Sequence, residues 1–308
     1  VQLCDIKKIN QMKIIVTGSL GHIGKPLTQE LVQKGHAVTV ISSNAEKQND
    51  IEALGATAAI GSIEDVQFLT TTFTGADAVY TMLPPPDFSN PDLDLMAHCS
   101  TLAGNYAQAI RASGVKRVVH LSSIGAHLAK DSGLILLHHV AESILDKLPD
   151  VDITFMRPVA FYYNLLSFIP AIKNTGVIAS NYGADDKIAW VSPIDIAAAV
   201  ARELETTAIG RKVSYVASDE PTCNEIASIL GAAIGKPDLK WIVITDEQMQ
   251  TGLTSFGVPA QIATGLVEMN ASMHQGQLFE DYYLNRPQVM GKVKLADFAK
   301  EFATAFGN

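Results

Sequence analysis

The stretch 13–24 constrains the fold of this chain more than any other. Ile14, Ile15 and Val16 form a short β-branched apolar run, the mark of a buried strand. Gly18, Gly21 and Gly24 follow at a spacing of three and three, and Leu27, Leu31 and Val32 then recur at helical spacing before Gly35. This reads as strand, glycine turn and helix at the start of a βαβ unit. In that context the first glycine permits a tight turn, the second lets a pyrophosphate approach the backbone, and the third lets helix and strand pack closely. Unpaired N–H groups at the helix start favour a phosphate there. The competing reading is a turn with no ligand, but the placement between strand and helix favours a dinucleotide.

The chain has 308 residues, 47% hydrophobic and 18% charged, enough for a large globular core. The net charge of −9, with no run of Lys or Arg, argues against direct binding of nucleic acid. Cys4, Cys99 and Cys223 are far apart, which suits a reducing compartment without disulfides or a zinc site. No metal is expected, because the histidines lack ligand spacing. No apolar run approaches the length of a membrane span. The first eleven residues do not resemble a signal peptide, and Met12 directly precedes the first strand, so 1–11 reads as an N-terminal extension and the cytoplasm as the expected location.

Further strands are expected at 37–41, 57–60, 76–82, 117–121 and 152–156, with helices at 45–54, from about 64, at 91–113 and at 134–148. This alternation predicts an α/β fold with a doubly wound parallel Rossmann sheet. Beyond Pro158 the regularity fails. A smaller α+β substrate lobe is expected over 160–187 and 217–308, with 12–159 forming the dinucleotide domain and 188–216 returning to it. Helices are expected at 193–204, 222–234 and 295–306, and two more over 246–275, broken near Gly257 and Pro259. The second strand ends in Ser42, Ser43 and Asn44, with Lys47 one turn on. There is no carboxylate to exclude a 2′-phosphate, so NADP(H) is favoured over NAD(H). Asn44 also suits a helix cap.

Several residues taken together resemble the NmrA-like branch of the atypical short-chain dehydrogenase/reductases. They are the Gly18, Gly21, Gly24 loop, the run Val119 to Ser123, Met156-Arg157-Pro158 followed by Phe161 and Asn164-Leu165, the run Trp190 to Ala197, and Leu295 to Ala299. The resemblance implies a Rossmann fold with a nicotinamide dinucleotide in a cleft. It places cofactor contacts at Gly18, Ser19, Leu20, Gly21, His22, Ile23 and Gly24, and at Ser42, Ser43 and Lys47. Further contacts fall at Gly61, Ser62 and Ile63, at Met82, Leu83 and Pro84, and at Leu121, Ser122 and Pro158. Typical members pair a Ser with Tyr-x-x-x-Lys. Here Ser122 or Ser123 is in place, but Leu134 stands where the Tyr belongs and His138 where the Lys belongs. The proton donor of ordinary ketone reduction is therefore missing.

His138 and Ser123 are the catalytic candidates; the bland reading makes His138 a packing residue. His127 and His139 are weighed as pocket or surface residues. Phe161, Tyr162, Tyr163 and Trp190 suit the apolar wall of a flat substrate, or packing between lobes. Asp195 is expected to help start its helix. Two functions fit. One is an oxidoreductase passing hydride from NADPH to a small quinone-like or conjugated acceptor, for which a strong protein acid matters less. The other is a dinucleotide-sensing regulator acting on a protein partner; a homodimer is also left open.

Overall fold

The computed structural model describes residues 11–86, 90, 93–207 and 209–307. The expected extension over 1–11 lies outside them except for Gln11, as does the expected helix start at Pro91. The strands are β1 (Lys13–Val16), β2 (Ala37–Ser42), β3 (Thr57–Ile60), β4 (Ala78–Met82), β5 (Arg117–Leu121), β6 (Asp152–Pro158), β7 (Ala160–Phe161), β8 (Val177–Ser180), β9 (Trp190–Val191), β10 (Arg211–Val216) and β11 (Lys240–Val243). The helices are α1 (Gly24–Gln33), α2 (Gln48–Ala53), α3 (Val66–Phe73), α4 (Leu95–Ser113), α5 (Leu136–Leu145), α6 (Ile169–Thr175), α7 (Pro193–Leu204), α8 (Cys223–Ala233), α9 (Asp246–Ser255), α10 (Ala260–His274), α11 (Glu280–Leu284) and α12 (Leu295–Gly307).

Seven strands form one parallel sheet in the order β10-β6-β5-β4-β1-β2-β3. This is a Rossmann-like fold, and the strand order reverses between β1 and β4, where such sheets bind ligands. Both faces of the sheet are covered at its centre, so β1, β4, β5 and β6 are buried on both sides and mainly apolar instead of alternating. Ile14 and Val16 join Leu27, Leu31, Val200 and Leu204 on the α1 and α7 face; Ile15, Val79 and Val118 join Leu69, Tyr106 and Leu145 on the α3, α4 and α5 face. The first cluster runs on without a break through Tyr162, Trp190 and Phe298.

Local chemistry sets the boundaries. Asn44 accepts from Glu46 N, Asp94 from Ala97 N to start α4, and Ser192 from Ile194 N to start α7. Gly114 ends α4 in the left-handed region. The expected helix over 134–148 is instead a 3-10 turn (Gly133–Ile135) leading into α5, because Gly133 packs directly against the Gly265 carbonyl of α10. Of the stretch 188–216, β10 lies in the main sheet, whereas β9 pairs with β7 in a sheet of its own. β8 pairs with β11. Asp195 does more than start α7. Buried, it accepts from Ser218 Oγ at 2.7 Å and from the backbone N–H groups of Lys292 and Val293, tethering the segment that leads into α12. No helix of the described residues is long and apolar enough to cross a membrane.

Candidate dinucleotide and substrate cleft

Three cavities adjoin one another along the C-terminal edge of the sheet. The first, about 310 Å³, lies over the ends of β2 and β3, with Ser19, Ser42, Ser43, Gly61, Ser62, Ile63 and Glu64 in its wall. The second, about 430 Å³, is bounded by Gly18, Gly21, His22, Ile23 and Gly24, by Leu83 and Pro84, and by Leu121, Ser122, Ser123 and His138. These two share Gly18, Met82, Pro84, His98 and Leu102. The third, about 460 Å³, meets the second at Ser123, Ile135 and Phe161 and contains Trp190.

The three glycines do different work. Gly18 sits at φ +86°, and a Cβ there would strike Met82 Sδ at 2.3 Å. A Cβ on Gly24 would lie 2.1 Å from the Ser19 carbonyl oxygen, so this glycine exists for close packing. A Cβ on Gly21 would meet only the Gly18 carbonyl, at 3.6 Å; the fold leaves that space open. The backbone N–H groups of Gly21, His22 and Ile23 donate to no described acceptor, and α1 begins without a side-chain cap. An open cradle lined by unpaired N–H groups at a helix start fits the diphosphate of a dinucleotide.

At the first cavity, Ser42 Oγ bonds Ser19 Oγ at 3.1 Å and receives Asn44 N at 3.2 Å, and Ser42 is almost fully buried. Ser43 and Ser62 are the exposed hydroxyls there, and Ser62 Oγ accepts from Glu64 N. Lys47 is not in the wall: its Nζ lies 3.2 Å from Asp50 across one exposed helical turn.

His138 lines the second cavity, and neither ring nitrogen has a partner among the described residues; Nδ1 is also fully covered. Burial pulls its pKa down to about 4, against the opposing pull of Glu142. His120, enclosed behind it on β5 and bonded to Thr81 Oγ1 at 2.9 Å, is depressed to about 3 by burial and by His138. Both imidazoles are therefore neutral at physiological pH. Ser123 Oγ has no partner among the described residues, while Ser122 Oγ donates to Glu142 Oε1 at 2.5 Å. Arg157 grips Glu142 through Nε at 2.9 Å and Nη2 at 2.6 Å, and its Nη1 reaches Asp281 at 3.0 Å and the Tyr215 hydroxyl at 3.2 Å. Sequence reasoning missed Glu142, although it lies four residues beyond His138 on one face of α5.

Some expected contacts fall elsewhere. Tyr162 is core: it is 1% exposed, stacks on Phe298 and donates to Asp219. Tyr163 reaches the cleft instead and stacks on His22 with ring centroids 4.6 Å apart. Pro158 is buried at the end of β6, and Leu20 packs toward the core; neither lines the cavities. His127 and His139 face a separate depression of about 360 Å³ beside Glu142 and Arg157. Trp190 does contribute to the third cavity, and its buried indole Nε1 has no acceptor among the described residues.

Comparison with known proteins agrees with this geometry. An NAD(P)H azoreductase of Xenophilus azovorans is 27% identical over 299 residues, 96% of this chain and 99% of its own length. A (4-alkanoyl-5-oxo-2,5-dihydrofuran-3-yl)methyl phosphate reductase of Streptomyces griseus is 28% identical over 225 residues, 73% of this chain and 74% of its own. The crystal structure of an NADPH-dependent quinone oxidoreductase from Escherichia coli, complexed with NADPH, superposes with a TM-score of 0.79 at 24% identity, covering 94% of this chain and 99% of that one. The model of a family described as NAD(P)H-binding matches residues 18–207, more than half of the sequence. With a glycine cradle, a switch-point cleft and this match, the chain belongs to the NAD(P)H-binding family.

Proposed function

We propose that this chain is an NADPH-dependent reductase of the NmrA-like branch that passes hydride to a small quinone-like or otherwise conjugated acceptor. The observation that carries this reading is the continuity of the cavities: a groove from Ser43 to Ser123 opens at its far end into a roomy apolar chamber. The names of the azoreductase and quinone oxidoreductase relatives support reduction of conjugated acceptors. When bound, the dinucleotide supplies the hydride. The chain's own part is to hold the diphosphate on the N–H groups of Gly21 to Ile23, to position the acceptor, and to keep water out. Ser123 Oγ, at the junction of the second and third cavities, is placed to bond an acceptor oxygen. Neutral His138 is a hydrogen-bonding partner there and not an imidazolium acid; the hydroquinone proton then comes from solvent, which a stabilised phenolate permits.

Anaerobic mixing of the protein with NADPH and a panel of quinones, followed at the NADPH absorbance, tests this reading. Turnover is expected. Tight NADPH binding with no acceptor reduced would make the chain a cofactor-sensing regulator instead.

His138→Ala should weaken NADPH or acceptor binding by ~1 kcal/mol, the loss of one ordinary hydrogen bond. Calorimetric titration measures it, and an unchanged affinity for both ligands makes His138 a packing residue. The preference for NADP(H) is best tested at Ser43, since Ser42 is already bonded and buried. Ser43→Asp should lower the ratio of NADPH to NADH affinity about tenfold, because a carboxylate repels the 2′-phosphate and accepts from ribose hydroxyls. A ratio that stays put removes the end of β2 from cofactor selection.

A further inference from the structure

Resting on the reductase reading, we propose that the third cavity selects uncharged acceptors and rejects those bearing a sulfonate, carboxylate or phosphate. Among the described residues its wall holds no Asp, Glu, Lys, Arg or His. Methionine and leucine side chains of α9 and α10, among them Met249, Leu253, Met269 and Met273, supply much of the surface. Its polar groups are hydroxyls, amides and the Trp190 indole. The nearby acids are engaged elsewhere: Asp246 Oδ1 takes Asn181 Nδ2 at 2.8 Å, and Asp186 Oδ2 lies 2.6 Å from His274 Nδ1.

An anion entering this chamber gives up its hydration and meets no cation in return. A neutral fused-ring acceptor loses little on entry, and flexible methionines can close around its faces. The Ser123 hydroxyl suits a carbonyl oxygen, which needs one donor and no countercharge. The described wall of the second cavity adds no Lys, Arg, Asp or Glu, and burial holds its His138 neutral.

The test compares 1,2-naphthoquinone with 1,2-naphthoquinone-4-sulfonate, using NADPH and the full chain. The expected kcat/KM for the sulfonate is lower by about 100-fold. Leu253→Lys, on a helix that buries none of its side chains, should raise sulfonate use about tenfold. Met269→Lys is a second variant, placed on α10, with the same expectation. Equal or better use of the sulfonate by the parent protein overturns the proposal, as does a failure of both folded lysine variants to narrow the gap. If neither compound is reduced, calorimetry on protein saturated with NADP+ separates the two readings. Selective binding of the neutral quinone then sustains charge selection while the reductase reading falls. Equal affinities, or no binding of the neutral quinone, overturn charge selection.

Discussion

Gly21→Val is expected to abolish dinucleotide binding while leaving the protein folded. The two halves of this expectation rest on separate facts. Gly21 is exposed, its φ is not in the left-handed region, and a Cβ there meets nothing closer than 3.6 Å, so the branch point of a valine fits without a clash. The added methyls occupy the space above the unpaired N–H groups, where the diphosphate must sit. NADPH fluorescence titration should show affinity reduced by at least about 100-fold, with circular dichroism and melting temperature unchanged. Gly24→Ala is the contrasting control. Its Cβ falls 2.1 Å from a backbone oxygen, so the loop itself must move, and stability should drop together with binding. Normal NADPH affinity in folded Gly21→Val would remove the glycine loop as the cofactor cradle.

Glu142→Ala should destabilise the fold by about 3 kcal/mol or more. Glu142 and Arg157 are 8% and 6% exposed and joined by two hydrogen bonds, so truncating one partner leaves the other charge buried. Asp281 and Tyr215 retain part of the guanidinium's bonding, which sets the loss near the lower end of the range for a broken buried pair. Ser122 Oγ loses its acceptor at the same time. Urea denaturation measures the change. The double variant Glu142→Leu with Arg157→Leu should recover much of it, since no charge is then left unpaired. A single variant as stable as the parent would mean that Asp281 alone compensates Arg157.

Strands β1 to β6 of the main sheet were legible in the sequence because the information that forms them is local. Ile14 to Val16 is an apolar run, Val118 to Leu121 and Ile153 to Met156 are apolar but for His120 and Thr154, and the sheet buries all three on both faces. The caps at Asn44 and Ser192 and the turn at Gly18 are likewise choices made within a few residues. The edges of the cleft could be read too, since a Rossmann-like sheet places the ends of β1, β2, β4 and β5 side by side.

What the tertiary structure decided depends on residues far apart in the chain. Spacing could not say that Tyr163, and not Tyr162, reaches the cleft; that follows from Phe298 and Asp219 claiming Tyr162. It could not say that Glu142, Arg157, Tyr215 and Asp281 would converge behind Ser122. Nor does any local pattern announce a chamber without charge, because its wall is assembled from β7, β9, α9 and α10 and the turns between α5 and β5. Strand and turn propensities act over short windows of chain, whereas the partner of a buried polar group and the lining of a cavity are settled only when distant segments pack and each must satisfy its own charge and hydrogen bonds.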